Sequence, residues 1–312
     1  MPLVSIVIPV YFNSQSLPIL ADRLKKLRES NQEYNFEFIF VDDGSKDDTA
    51  QVLMALTKVD NPRERYQHQV CQRAIEWEFA MQCRNGGWGS FDKDNTKMIF
   101  QYIPFADHNA MLDPPTADIT GRMLEMLACY GHTRADKRVE KAIKFILSEQ
   151  ESDGSWFGRW GVNYIYGTFL VLRGLDAIGF DRNEPQVQQA AEWIRMVQNP
   201  DGGWGESCGT YDDPDTRGVG VSTPSQTAWA LLGLLAAGDD RSDSVAKGVR
   251  WLLRSQRQDG GWDESMGDGA KRESIITGTG FPKVFYLAYT LYRQYFPLMA
   301  LTAYQRAMER AS

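Results

Sequence analysis

The sequence predicts a mainly helical protein, an α/α barrel fragment carrying Gln–Trp repeats, preceded by a short βαβ segment. Three observations carry that expectation. One spacing of aromatic residue, glutamine and tryptophan recurs four times along the chain. The amphipathic stretches that hold it alternate with stretches that are apolar on every side. Only the first residues, up to about Lys46, have a different texture, and all nine tryptophans lie after residue 76.

The N-terminal segment comes first. Leu3–Val10 is a β-branched run closed by Pro9 and Asn13, which reads as a buried strand. Leu17–Glu29 carries apolar residues at helical spacing behind Ser16, a suitable N-cap. Phe36–Val41 is a second continuous apolar run, and it ends in Asp42-Asp43-Gly44-Ser45. Strand, helix and parallel strand open an α/β nucleotide-binding sheet. Two strands cannot cover their own edges and faces, so residues 1–46 read as a truncated domain and residues 47–312 as the helical one.

The repeat follows. The four copies are RAIEWEFAMQCRNGGW with Trp77, Gln82 and Trp88, and KAIKFILSEQESDGSW with Phe145, Gln150 and Trp156. They continue with QAAEWIRMVQNPDGGW (Trp193, Gln198, Trp204) and KGVRWLLRSQRQDGGW (Trp251, Gln256, Trp262). In each, an aromatic residue stands five positions before Gln, and Gln six before Trp. Self-similarity at intervals of 48 to 68 residues marks a repeated supersecondary unit. The first half of each copy has the pattern of an amphipathic helix, and the following Gly accepts the positive φ that ends it. The Gln is placed to bond backbone groups at a helix terminus, with the Trp ring over its aliphatic part. Between copies lie apolar helices at Ile119–Cys129, Tyr166–Ile178, Ser225–Ala237 and Val284–Tyr295. Alternating amphipathic and apolar helices suit two concentric rings around a cavity. The repeated Gln and Trp residues then read as scaffold.

Composition narrows the function. Asp and Glu number 41 against 34 Lys and Arg, a net charge of −7, so no nucleic acid partner is expected. Cys71, Cys83, Cys129 and Cys208 form no CxxC pair, which fits reduced thiols in a cytosolic protein. The apolar N-terminus has no basic region before it, and the longest apolar stretch, Ala228–Ala237, is too short to span a bilayer. His68, His108 and His132 have no Asp/Cys partners at zinc spacing, which sets aside a prenyltransferase-like barrel; no metal and no cofactor is expected.

The Gln–Trp motif, with GSFDKDN, YIPFADHNAMLDPPTAD, GSWFGRWGVNYIYGT, NPDGGWGESC, STPSQTAWALLGL and GTGFPKVFYLAYTLYRQYFP, resembles the C-terminal part of the bacterial squalene–hopene cyclases from about Asp47 to Arg310. The resemblance implies acid-initiated cationic cyclisation of squalene to hopene or hopanol. It places Asp47 at the proton-donor position of the family's D-x-D-D-T-A motif, read here as Ser45-Lys46-Asp47-Asp48-Thr49-Ala50, with Asp48 as its neighbour and Ser45 replacing the first acid. It puts Asp118 in the hydrogen-bonded group around the donor and Arg122 where some members carry histidine. Phe91, Phe105, Trp160, Tyr166, Phe281, Phe285, Tyr289 and Tyr292 match cavity-lining positions, whose ring faces stabilise carbocations. The implied partners are squalene or a similar isoprenoid lipid and a membrane surface. The implied location is peripheral, on the cytoplasmic inner face of the cell membrane, and a homo-oligomer is compatible with it. Since a family barrel is paired with a second one, the isolated chain is expected to be inactive, and a non-catalytic lipid-binding role is the alternative.

VSIVIPVYF followed by FIFVDDGSKDDT resembles the opening of a family 2 glycosyltransferase, which implies nucleotide binding at Asp42 and Asp43. The two resemblances overlap at Asp47–Thr49. Asp92-Lys93-Asp94 has the spelling of that family's metal motif but reads as a turn after a Gln–Trp repeat.

Overall fold

The computed structural model describes residues 3–10, 29–30, 35–42, 64–102, 111–266 and 273–311. The chain forms two compact units, Met1–Lys58 and Val59–Ser312. In the first, β1 (Leu3–Val10) and β2 (Asn35–Asp42) pair in parallel, from Leu3 opposite Asn35 to Val10 opposite Asp42. The helix expected over Leu17–Glu29 lies almost entirely outside the described residues.

The second unit is helical. Its amphipathic helices are α1 (Glu64–Met81), α3 (Lys137–Ser148), α5 (Pro185–Met196) and α7 (Asp243–Ser255). Between them run α2 (Ala117–Cys129), α4 (Tyr164–Ala177), α6 (Pro224–Ala236) and finally α8 (Tyr292–Ala311). The helix starts are sequence-encoded: Asp136, Thr223 and Ser242 each accept a backbone N–H of the first turn, and Pro185 and Pro224 occupy positions that need no donor. The second series packs in order, α2 on α4, α4 on α6 and α6 on α8, with α2, α4 and α6 buried on nearly every side. Between α2 and α4 the backbones touch. A Cβ on Gly121 would lie 2.7 Å from the Leu170 carbonyl oxygen, and one on Gly174 would lie 2.1 Å from that of Gly121.

Each Gln–Trp turn is one joint, with four bonds in the first three copies and three in the fourth. The Gln side chain donates to the Gly carbonyl four residues on: Gln82 to Gly86 at 2.8 Å, and Gln150, Gln198 and Gln256 to Gly154, Gly202 and Gly260 at 2.9, 2.9 and 2.8 Å. Those four glycines have φ between 83° and 102°. In the first three copies the same Gln nitrogen also reaches the first turn of the next amphipathic helix, at the Arg138, Gln186 and Ser244 carbonyls. The Trp indole N–H takes a carbonyl in the last turn of its own helix: Glu78, Ile146, Ile194 and Leu252. The helix terminus expected to be served by the Gln is therefore served by the Trp, and the Gln links one outer helix to the next. The Trp backbone N–H is accepted by Thr120, Thr168 and Thr227 on α2, α4 and α6, and in the fourth copy by the Gln294 side chain on α8. All four Trp rings are buried.

One expected helix is corrected. Val284–Tyr295 is not helical throughout: β3 (Gly278–Phe281) and β4 (Phe285–Leu287) form an antiparallel hairpin, and α8 begins only at Tyr292. Lys283 takes φ 67° in the hairpin's turn. The apolar pattern is overridden by tertiary pairing, because Val162 N–H donates to the Thr277 carbonyl and Gly161 bridges Gly278, which extends the chain there. A second hairpin, Ser265–Met266 with Glu273–Ser274, precedes it.

Candidate functional site

The starts of α2 and α4 converge on one loop, Gly158–Gly161. Asp118 lies in the first turn of α2, fully buried, where a helix N-terminus favours a carboxylate. Its Oδ1 accepts the Ile119 N–H at 2.9 Å, and its Oδ2 accepts the Arg159 and Trp160 N–H groups at 2.7 and 3.2 Å. One turn further, Arg122 donates to the Tyr166 hydroxyl at 2.9 Å, both side chains buried. Burial holds the Arg159 guanidinium below its ordinary range, opposed by Asp113 and Asp118.

The aromatic residues form two groups. Trp160 meets Phe91 edge-on at 6.1 Å and Phe281 at 5.7 Å, and Phe281 meets Phe285 at 5.8 Å. The second group centres on Trp229 of α6. Tyr166 lies 4.9 Å from it, Phe296 5.4 Å and Tyr292 5.8 Å; Tyr289 lies 4.7 Å from Tyr292, and Phe169 stacks parallel to Trp229. Such ring faces stabilise positive charge by about 0.5–1 kcal/mol where exposed, as Phe91 is, and by roughly 2 kcal/mol or more where buried, as around Trp229.

Seven of the eight expected lining residues thus fall in these two groups, and Asp118 and Arg122 bond to them at the Trp160 N–H and the Tyr166 hydroxyl. Phe105 lies outside the described residues, as do Asp43, Asp47, Asp48 and Ser45. Asp42 ends β2 and is described by its backbone alone. Trp229 and Phe169 are not singled out from the sequence, since α4 and α6, apolar all round, give periodicity no face to choose; Phe296, on the mixed helix α8, is not singled out either.

Two buried glutamates were also missed. Glu206 Oε2 accepts the Asn163 and Ile165 N–H groups at the start of α4, at 3.1 and 2.9 Å. Glu264 accepts the Ser225 N–H at 3.1 Å and the Ser225 hydroxyl at the start of α6. Burial pushes both carboxyls up, while these donors pull them down. Each stands two residues after a Gln–Trp tryptophan, a likeness that only the third and fourth copies share, since the first two carry Ser90 and Gly158 there. Among the described residues no group of three or more His, Cys, Asp or Glu side chains is arranged to hold a metal, and no helix is long and apolar enough to cross a membrane.

A family model described as the squalene-hopene cyclase C-terminal domain matches residues 20–306. The chain is 45% identical over 263 residues to a squalene–hopene cyclase of Zymomonas mobilis, covering 83% of this chain and 38% of that protein. It is 45% identical over 277 residues to a squalene–hopene cyclase of Alicyclobacillus acidocaldarius, covering 89% of this chain and 42% of that one. A terpene cyclase–glycosyl transferase fusion protein of Humicola fuscoatra is 38% identical over 275 residues, covering 83% of this chain and 20% of that protein. The chain therefore spans about two fifths of the length of the first two relatives.

Proposed function

The chain belongs to the squalene-hopene cyclase C-terminal domain family, and from that membership we propose that it is the barrel of a triterpene cyclase in which squalene, or a similar isoprenoid, is folded and cyclised. The observation that carries this reading is the junction of Asp118 on α2 with the Trp160 loop, whose ring meets Phe281 of the hairpin, beside the second aromatic group on α4, α6 and α8. In this reading the Asp47 carboxyl gives its proton to a terminal double bond of the polyene. Each cation formed is attacked by the next double bond, and Trp160, Tyr166, Phe281 and Phe285 face the migrating charge. Loss of a proton ends the sequence as hopene, and capture of water ends it as hopanol. Asp48 stands next to the donor and would stabilise its conjugate base only as a protonated carboxyl that donates a hydrogen bond, because a second carboxylate opposes the charge. A substrate so apolar partitions into bilayers, so the protein works at a membrane surface, on its cytoplasmic face. The exposed Met196, Val219 and Val221 side chains suit contact with lipid.

The test combines this chain with the remaining region of the Zymomonas mobilis relative, supplied as a second chain, on squalene in liposomes. Gas chromatography should show hopene or hopanol from the pair, and neither once Asp47→Asn is introduced. Equal product from the Asp47→Asn pair would remove Asp47 as donor; no product from any pair would remove the cyclase reading.

A second reading concerns β1 and β2. Their parallel pairing needs a crossover connection, as in a sheet that binds sugar nucleotides, and the Humicola fuscoatra relative is named as a cyclase–glycosyl transferase fusion. Against it, the cyclase family match starts at residue 20 and so overlaps β2. Calorimetric titration with UDP-sugars decides: heat that disappears in Asp43→Ala would favour this reading, and no heat would end it.

A further inference from the structure

The Gly158–Gly161 loop carries Trp160 and contains no regular hydrogen-bonding pattern of its own, so its shape is imposed by its neighbours. Its two central N–H groups, Arg159 and Trp160, go to Asp118 Oδ2. Its two outer carbonyls, Gly158 and Gly161, both point to a single hydroxyl: Tyr211 Oη lies 2.7 and 2.8 Å from them. Tyr211 ends a short 3₁₀ turn, Cys208–Tyr211, in the segment between the third Gln–Trp turn and α6. It is buried, with its ring held edge-on to Phe157 at 5.6 Å and stacked on Tyr286 at 5.7 Å. A carboxylate thus takes the loop's donors and a phenol its acceptors. Burial, with Asp118 and Glu206 nearby, keeps that phenol protonated far into the alkaline range, so it remains a donor throughout.

We propose that Tyr211 is a positioning residue for Trp160: by bridging the Gly158 and Gly161 carbonyls it fixes where the indole face meets the cation formed during cyclisation. The cyclisation part rests on the cyclase reading; the fixing of the indole does not. Tyr211 acts on Trp160 through the loop backbone, at the Gly158 and Gly161 carbonyls. A phenol has one hydrogen for two carbonyls, so the bridge is shared between them. The loop is also held by the Gly158 N–H on Asn163 Oδ1, the Thr279 N–H on the Trp160 carbonyl, the Gly161–Gly278 bridge and the indole N–H on Ser90 Oγ. Removing the phenol therefore loosens the Gly158 and Gly161 carbonyls and shifts the indole without unfolding the loop. Tyr164, whose ring also packs on Phe157 but lies under the Arg217 guanidinium, has no bond to the loop and serves as the control.

The experiment labels the whole chain with 5-fluorotryptophan and reads the Trp160 fluorine line, assigned by Trp160→Phe. Tyr211→Phe should shift or split that line and leave the Trp156 and Trp229 lines in place, and Tyr164→Phe should leave all three. Replacing Tyr211 with 4-aminophenylalanine, which offers one N–H to each carbonyl, should return the Trp160 line to its original position. A Trp160 line unchanged in folded Tyr211→Phe would overturn the proposal. Should Tyr211→Phe fail to fold, the aminophenylalanine chain decides: an undisplaced Trp160 line supports the bridge and a displaced one refutes it. In the assembled cyclase, Tyr211→Phe should lower kcat about 10- to 100-fold with KM within about twofold, as a misplaced contact does. A moved line with unchanged kcat would confine Tyr211 to shaping the loop, against the proposal; absence of turnover in the unmodified pair would count against the cyclase reading and leave the fluorine result standing.

Discussion

Glu78 occupies a place where the other three repeats carry Ile146, Ile194 and Leu252, four residues before the motif glutamine. All four side chains are buried, and on α1 Glu78 continues the stripe of Cys71, Ile75 and Gln82. Burial alone raises its carboxyl from 4.5 to about 7. In the unfolded chain the group ionises near 4.5, so between these values the folded state keeps a proton that the unfolded state has released. Stability from this group is therefore complete below about pH 4.5, falls as pH rises, and is lost by about pH 8. The difference of about 2.5 units corresponds to about 3 kcal/mol. Glu78→Gln should remove that slope, and Glu78→Leu should also add roughly 1.5–3 kcal/mol of apolar burial at pH 8. Urea unfolding of the three proteins at pH 5 and pH 8 measures it. Glu206 and Glu264 add slopes of their own, but these cancel in the difference between variants. An identical pH dependence in the unmodified chain and Glu78→Gln would refute the reasoning.

Trp204→Ala should cost about 3–5 kcal/mol, since it empties a buried ring site and frees the Ile194 carbonyl; a melting temperature within a degree of the unmodified chain would count against this. Gly121→Ala should destabilise by about 1–3 kcal/mol, because its Cβ meets the Leu170 backbone on α4 and no side chain is there to yield; chemical denaturation checks it. Glu206→Ala leaves two amides at the start of α4 unpaired and should cost at least about 2 kcal/mol, with faster hydrogen exchange at Asn163 and Ile165 as the local readout.

What the sequence discloses of this fold follows from repetition. Four copies of one spacing place α1, α3, α5 and α7 and their turns, because each copy independently needs a positive-φ Gly and a capped helix end. The apolar helices between them are visible as elements but not as faces, so Trp229 carries no more signal than Leu231 beside it. The hairpin at Gly278–Leu287 is hidden because its cause, pairing with the Trp160 loop, sits more than a hundred residues away. The site residues Asp118, Trp160 and Phe281 come from a likeness of motifs, not from periodicity. Tyr211 and Glu206 escape both routes: each acts on backbone groups more than forty residues distant, and no local pattern records which carbonyl a phenol will meet.

The three linked Gln–Trp turns set the position of one outer helix against the next before any of the intervening chain is specified. Between turn and following inner helix the chain may take any path that returns to the same place. It uses 8 residues from Trp156 to Tyr164 but 20 from Trp204 to Pro224 and 29 from Trp88 to Ala117. The longer detours carry Tyr211 on one and Phe91 and Asp113 on the other. Frame and contents are thus separable: lengthening or exchanging such a detour changes the side chains it carries while the clasped helices keep their spacing, which makes these two segments the natural ground for variation.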